Sequence, residues 1–188
     1  MSASSDHPAD IDFESLRGQI WLQLQRAVGE RDHEWRTPVL AGVDADGLPQ
    51  ARTVVLRRAD PNAGTLQVYT DSRSPKVAEL QGQPHAVLVF WSRRLSWQLR
   101  ARVTVQVQTG GEQVEAAWEQ VSRTAAATDY LAPAAPGSVF ASRAHGDHAS
   151  HHLAVLLARI DALDWLELAR DGHRRVRFDD SGACRLIP

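Results

Sequence analysis

The chain has one cysteine and one methionine in 188 residues, and it is nearly as poor in lysine and tyrosine, with Lys76 the single lysine and Tyr69 and Tyr130 the only tyrosines. Each scarcity excludes something. Cys184 alone cannot form an intramolecular disulfide, so the fold must hold without staples. A chain of this length hides roughly 70% of its unfolded surface and can do so. The longest apolar runs, Ala86 to Trp91 and Leu153 to Ala158, fall far short of the ~20 residues of a membrane-spanning helix. Net charge is −2 with an isoelectric point near 6.4, which gives no broad positive field for a nucleic-acid duplex. The N-terminal stretch MSASSDHPAD is polar and acidic, unlike a secretory signal, and with the lone thiol it predicts a reducing, cytoplasmic setting. Hydrophobic residues at 43% and charged residues at 23% are those of a folded globular domain.

Periodicity then divides the chain. Residues 1–10 have little to pack and are expected to be flexible, leaving 11–188 as a single domain. Phe13, Leu16, Ile20, Leu24 and Val28 recur at helical spacing behind Asp12, a candidate N-cap, and predict an amphipathic helix over about 12–31. Thr37 to Val43, the turn Ala45-Asp46-Gly47 and Gln50 to Arg58 read as a hairpin, and Thr65 to Thr70 as a further strand. Pro75 suits the first turn of a short helix capped by Ser72 or Ser74 and ending near Gly82. The clearest pattern is Trp97 to Gln108, where Leu99, Ala101, Val103, Val105 and Val107 alternate with Gln98, Arg100, Arg102, Thr104 and Gln106. It follows a strand over Ala86 to Trp91. Val114, Ala117, Trp118 and Val121 predict another helix, and Ala132 to Gly137 a loop. Strands over Leu153–Ile160, Asp164–Leu168 and Arg174–Phe178 complete six or seven, with Cys184–Pro188 as a tail. Mostly antiparallel strands with few helices predict a mainly β fold, a closed or split barrel flanked by helices.

The basic residues suggest an anion site. Ser72-Arg73-Ser74-Pro75-Lys76 brings hydroxyls, a helix start and the lone lysine into five residues, and an arginine at the end of the strand Arg52 to Arg57 would complete a phosphate cradle. Period-two geometry sends Arg52 and Val54 to one face of that strand and Thr53, Val55 and Arg57 to the other. A capped, solvated helix start is the plainer reading of the same run.

Five ordered segments resemble the flavin-binding pattern of the pyridoxamine 5'-phosphate oxidase family: Arg52-Thr53-Val54-Val55-Leu56-Arg57, Val68-Tyr69-Thr70-Asp71, Ser74-Pro75-Lys76, Trp97-Gln98-Leu99-Arg100 and the ending Arg185-Leu186-Ile187-Pro188. The resemblance implies an FMN-binding split barrel, a homodimer with FMN at the subunit interface. It implies that residues Arg52 to Arg57 lie along the flavin and that Arg52 and Lys76, with Ser74, hold the phosphate. Tyr69 and Thr70 would sit beside it, Gln98 at the ring, and Arg177 would complete the site from the other subunit.

The substrate half departs from the family. Arg57 stands where a substrate-contacting lysine is usual, and Pro75 where an arginine often precedes the lysine. His173 and Arg175 carry the substrate-gripping residue types in exchanged order, and Ser122 and Arg123 only partly match the substrate-phosphate region. The reading is an FMN-dependent oxidoreductase related to pyridoxamine 5'-phosphate oxidase, acting on an unidentified small molecule, with no catalytic residue assigned. The alternative is a non-catalytic module that binds flavin, deazaflavin or haem on the same barrel. His145, His148, His151 and His152 would then be candidate haem ligands; His148 and His152 have i, i+4 spacing, but the glycine-containing context argues against a native metal site. Arg93-Arg94 reads as a solvated turn, Trp91 and Trp97 as interface or core aromatics, Trp165 as core, and Trp21 and Trp35 as anchors of the first helix. Cys184 has no activating neighbour in sequence and reads as inert.

Overall fold

A computed structural model describes residues 11–139 and 150–188. The predicted flexibility of 1–10, and the calls on His145 and His148, lie outside those residues. Helix α1 (Phe13–Gly29) starts where Asp12 Oδ1 accepts from the backbone N–H of Glu14 and Ser15, both at 3.1 Å, satisfying two of the donors a helix start leaves unpaired. Its buried face carries Leu16, Ile20, Leu24 and Ala27.

Nine antiparallel strands form one sheet: β1 (Val39–Val43), β2 (Pro49–Thr53), β3 (Leu56–Asp60), β4 (Thr65–Asp71), β5 (His85–Ser92), β6 (Trp97–Gln108), β7 (Leu153–Glu167), β8 (Arg174–Asp179) and β9 (Gly182–Leu186). The order is β2-β1-β5-β6-β7-β4-β3, with β8 on β7 and β9 on β8. β6 pairs along nearly all of β7, whose first half also pairs β4 and whose second half pairs β8. Helix α2 (Pro75–Gly82) joins β4 to β5, and α3 (Glu112–Val121) and the short α4 (Thr128–Leu131) lie between β6 and β7. Gly111, at φ 91°, makes the left-handed turn into α3.

Two apolar clusters hold this together. The larger fills the barrel under α1, with Trp35, Phe90, Leu56, Leu66, Leu88 and Leu99 at 1% exposure or less. Trp97 meets Trp165 edge-on at 5.2 Å between centroids, and Trp35 lies 5.6 Å from Phe90, separations at which aromatic pairs attract. The smaller cluster packs Val114, Ala117 and Val121 of α3 with Tyr130, Leu153 and Val155, against Tyr69 and Trp118.

Three strand expectations are corrected. Gln50 to Arg58 is not one strand: Thr53 pairs with Val39 of β1, Val54 N–H donates to Pro38 O at 2.9 Å, and Leu56 already pairs with Val68 of β4. The β-branched run hides this break, because Val54 and Val55 carry the chain from one end of the sheet order to the other. Residues 153–160 and 164–168 are not separate strands but parts of the single β7, in which a register shift on pairing with β6 accommodates the polar Asp161. The tail forms β9, so the strands among the described residues number nine rather than six or seven. Of the aromatic expectations, Trp165, Trp35 and Trp97 are buried, Trp21 packs with α1 into the core, and Trp91 is 46% exposed.

Candidate functional site

The turn between β4 and α2 is built around Asp71. Its carboxylate, 5% exposed as a residue, accepts from Arg73 N–H at 2.8 Å and from the guanidinium at 3.0 and 2.7 Å. Arg73 also donates to the carbonyls of Ala132 and Pro133 at 2.8 and 3.2 Å, and Ser72 N–H donates to His152 O at 2.6 Å. The turn is thereby stapled to the chain just after α4 and to the residue that precedes β7.

Ser74 occupies the N-cap position of α2, but its side chain does not cap the helix. Its Oγ instead accepts from Lys76 Nζ at 2.7 Å, and Thr70 Oγ1 accepts from the same ammonium at 3.0 Å. The helix start is therefore organised around the lysine and not, as the serine suggested, around its own N–H groups. Burial, and secondarily the nearby Arg52, push the Lys76 pKa below its ordinary value. Among the described residues no carboxylate forms a salt bridge with Lys76. Arg52 reaches the same helix, donating to Glu79 Oε2 at 2.8 Å. Arg52, Thr70, Ser74 and Lys76 are thus brought together as two cations and two hydroxyls at a helix N-terminus. That donor set fits a phosphate, which needs several charge-assisted hydrogen bonds, and so fits the phosphate end of FMN.

The rest of the Arg52 to Arg57 segment divides. Thr53 is exposed and Val55 partly buried, while the side chains of Val54 and Leu56 belong to the barrel core, so these two can meet a ligand only through their backbone. Arg57 points to the α3 side of the sheet with Tyr69. Its guanidinium carbon lies 5.9 Å from the Tyr69 ring centroid, and its Nε is buried without a hydrogen-bond partner among the described residues. Such an orphan costs about 1–3 kcal/mol. The hydroxyl of Tyr130 lies beside it: burial raises the Tyr130 pKa and the Arg57 charge works against that rise. Burial likewise raises the pKa of Tyr69, so both phenols are neutral.

Gln98 and Arg177 are elsewhere. Gln98 pairs with Leu166 near the far end of β7, whereas Tyr69 and Thr70 pair with Val155 and Ala154 near its start. About 36–40 Å of strand separates the two groups at roughly 3.3 Å per residue. Arg177 lies at the Gln98 end, paired in register with Asp164 and bonded to Asp179 at 2.8 Å.

The substrate-side expectations are not brought together. Arg175 donates twice to Asp164, at 2.9 and 2.7 Å, and Arg100 binds the same carboxylate, which occupies Arg175 in the wall of the sheet. His173 is exposed between β7 and β8. Ser122 and Arg123 are exposed at the end of α3, where Ser122 Oγ donates to Glu119 O at 3.2 Å. Their sequence positions suggested a phosphate contact, but the helix ends with both outside the Arg57 cluster. His151 stacks on Trp118 with ring centroids 4.4 Å apart, and Leu153 N–H donates to its Nδ1. The Arg93 and Arg94 N–H groups are taken by the Glu34 carboxylate, as befits a structural turn. Sequence reasoning assigned no role to Glu79 or Tyr130 and named Arg73 only as part of the Ser72 to Lys76 run. Tyr130 stands in an Ala/Pro-rich stretch without usable periodicity.

The fold is that of a split-barrel protein with flanking helices, and its cationic, hydroxyl-lined helix start is the feature to compare. Residues 19–109 match the pyridoxamine 5'-phosphate oxidase, FMN-binding domain. The pyridoxine/pyridoxamine 5'-phosphate oxidase of Microcystis aeruginosa is 39% identical over 83 residues, 44% of this chain and 38% of that protein. The enzyme of the same description from Paraburkholderia phytofirmans is 34% identical over 108 residues, 57% of this chain and 49% of that protein. The matched stretch spans less than half the length of either relative. Among solved structures, a pyridoxamine 5'-phosphate oxidase-related, FMN-binding protein from Nostoc punctiforme superposes with a TM-score of 0.72 at 21% identity, covering 92% of this chain and 97% of the other. PhzG from Burkholderia lata, solved with tetrahydrophenazine-1-carboxylic acid, gives 0.68 at 17% identity, covering 100% and 98%. These structures share the fold. No helix among the described residues is long and apolar enough to cross a membrane, and no group of three His, Cys, Asp or Glu among them could hold a metal ion.

Proposed function

We propose that this protein is a cytoplasmic, homodimeric FMN-dependent oxidoreductase of a small molecule, with residues 11–188 acting as one domain. The observation that carries the proposal is the Lys76 ammonium on the Thr70 and Ser74 hydroxyls, unpaired by any carboxylate among the described residues and adjoining Arg52. Arg52 and Lys76 would hold the FMN phosphate, the hydroxyls would orient the lysine, and the backbone of Thr53 to Leu56 would run along the cofactor. Bound FMN would supply the redox chemistry, accepting electrons from the substrate and passing them on. The polypeptide would bind and orient it.

The separation of the two groups of candidates supports the homodimer reading. Gln98 on β6 and Arg177 on β8 lie at the far end of β7 from Lys76, and under this reading a second copy would bring them to the site. The outer face of β1 and β5 offers an apolar surface for that contact: Val39 and Val89 are register partners, and Val39 and Trp91 are 38% and 46% exposed.

The test is a visible spectrum of untagged protein before and after addition of FMN and gel filtration. Two flavin bands at one FMN per subunit are expected. A colourless protein that retains no FMN sinks the reading. Dispersal of Ser122, Arg123 and His173 favours a second reading, a non-catalytic module for flavin, deazaflavin or haem. Under that reading a haem band would appear, or flavin would bind and, once reduced, be reoxidised by no acceptor faster than by dissolved oxygen.

A further inference from the structure

Arg57 carries an uncommitted charge. The other arginines near it have partners: Arg58 reaches Asp60 at 3.4 Å, Arg73 is held by Asp71 and two carbonyls, and Arg52 by Glu79. Among the described residues Arg57 has no carboxylate partner. It is held by packing instead, with Nε sealed against the protein and its guanidinium on the Tyr69 ring, and the residue as a whole is only partly buried. A partly buried cation left without a counter-ion is destabilising unless something supplies the charge. Both tyrosines of the chain lie at this one guanidinium.

The cluster is separate from the Lys76 donors. Tyr69 and Thr70 are consecutive in β4, so their side chains leave opposite faces, Thr70 toward Lys76 and Tyr69 toward α3. The two sites also differ in charge. At Lys76 two cations and two hydroxyls suit a dianion. At Arg57 there is one positive charge, on a planar fork that matches the two oxygens of a carboxylate. The neutral Tyr130 phenol beside it can accept from the guanidinium and donate its own proton to an anion. Tyr69 and the partly buried Trp118, both packed on the α3 cluster, supply aromatic surface next to the charge.

We propose that Arg57, Tyr69 and Tyr130 form a recognition site for a carboxylate on an aromatic small molecule. Identifying that molecule as the substrate rests on the flavin reading above; the site itself does not. The Arg57 fork holds the carboxylate, Tyr130 adds one hydrogen bond, and the aromatic side chains receive the ring. A phosphate ester is disfavoured because its second charge finds no second cation.

The test uses three matched probes, 2-naphthoate, 2-naphthamide and 2-naphthyl phosphate, titrated calorimetrically into the full chain with and without FMN. 2-Naphthoate is expected to bind at least about tenfold more tightly than the other two, the difference a charge-assisted, bidentate contact produces. Arg57→Gln should lose that preference. Arg57→Lys, which keeps the charge and loses the fork, should retain part of it, and Tyr130→Phe should weaken naphthoate alone, about three- to tenfold. Circular dichroism confirms that each variant is folded, and Tyr130→Phe, which removes one oxygen, keeps the test usable if Arg57 variants unfold. Equal binding of the amide, tighter binding of the phosphate, or unchanged naphthoate binding by folded Arg57→Gln overturns the proposal. FMN retention without naphthoate binding defeats this site and leaves the flavin reading standing. Naphthoate binding through Arg57 in a protein that takes no FMN does the reverse.

Discussion

Arg52 donates to the Glu79 carboxylate at 2.8 Å, and this contact ties the end of β2 to the second turn of α2. Lys76 stands one turn earlier on the same helix, so the pair draws the two cations to one place. Replacing both, as Arg52→Ala with Lys76→Ala, should weaken FMN binding by about 100-fold or more, since two charge-assisted contacts are lost. Riboflavin, which lacks the phosphate, should bind both proteins alike. Fluorescence titration with the two flavins checks this, and equal FMN affinity for variant and wild type would remove the phosphate assignment.

Lys76 gives the site a pH dependence of defined sign. Its pKa is lowered from 10.5, first by burial and then by Arg52, so its charge is lost earlier in an alkaline titration than that of a solvated lysine. FMN affinity should therefore fall as pH rises, with a midpoint below 10.5. Protein stability moves oppositely over that interval: the unfolded chain holds the proton that the folded one has released, so raising the pH favours folding. Lys76→Arg should remove the midpoint from the FMN titration while retaining the charge.

Asp164 lies between Arg100 and Arg175 on the outer face of the sheet. Burial pushes its pKa up, but hydrogen bonds from Arg175 and Arg100 outweigh this and hold it below the usual 3.8. A depressed carboxylate stabilises the fold above its unfolded pKa, and the contribution is lost as pH falls through the folded value. Asp164→Asn should lower the urea midpoint at pH 7, and the difference from wild type should shrink as the pH drops below about 3.8.

Trp165 is 2% exposed, lies edge-on to Trp97, and buries an Nε1 without a hydrogen-bond partner among the described residues. Trp165→Ala should cost about 3–5 kcal/mol through the cavity it leaves. Trp165→Phe should cost clearly less, because no hydrogen bond is lost with the indole. Urea unfolding of the two variants, followed by circular dichroism, measures both.

Trp91 and Val39 test the second copy. Trp91→Glu with Val39→Lys places charge on the outer face of β5 and β1 and should leave the fold intact while producing monomers in light scattering. If Gln98 and Arg177 complete the site across that contact, the monomer should also bind FMN more weakly. A variant that remains dimeric with unchanged FMN affinity would assign the contact to another face.

The local patterns that determined so much of this protein act over a few residues. Alternation from Leu99 to Val107 specified β6 because a strand turns every second side chain inward, and Asp12 with the spacing of Leu16, Ile20 and Leu24 specified α1 because capping and the helical repeat are local. Arg52 and Lys76 were legible for the same reason, as cations at a strand and at a helix start marked by Pro75. What the tertiary structure alone decided depends on partners distant in sequence. The Val54–Val55 crossing follows from the pairing of Thr53 with β1 and Leu56 with β4, and β7 is continuous because β6 supports it across the shift near Asp161. Arg175 is committed to Asp164, and Tyr130 reaches Arg57, only because packing brings together segments whose own sequences carry no record of each other.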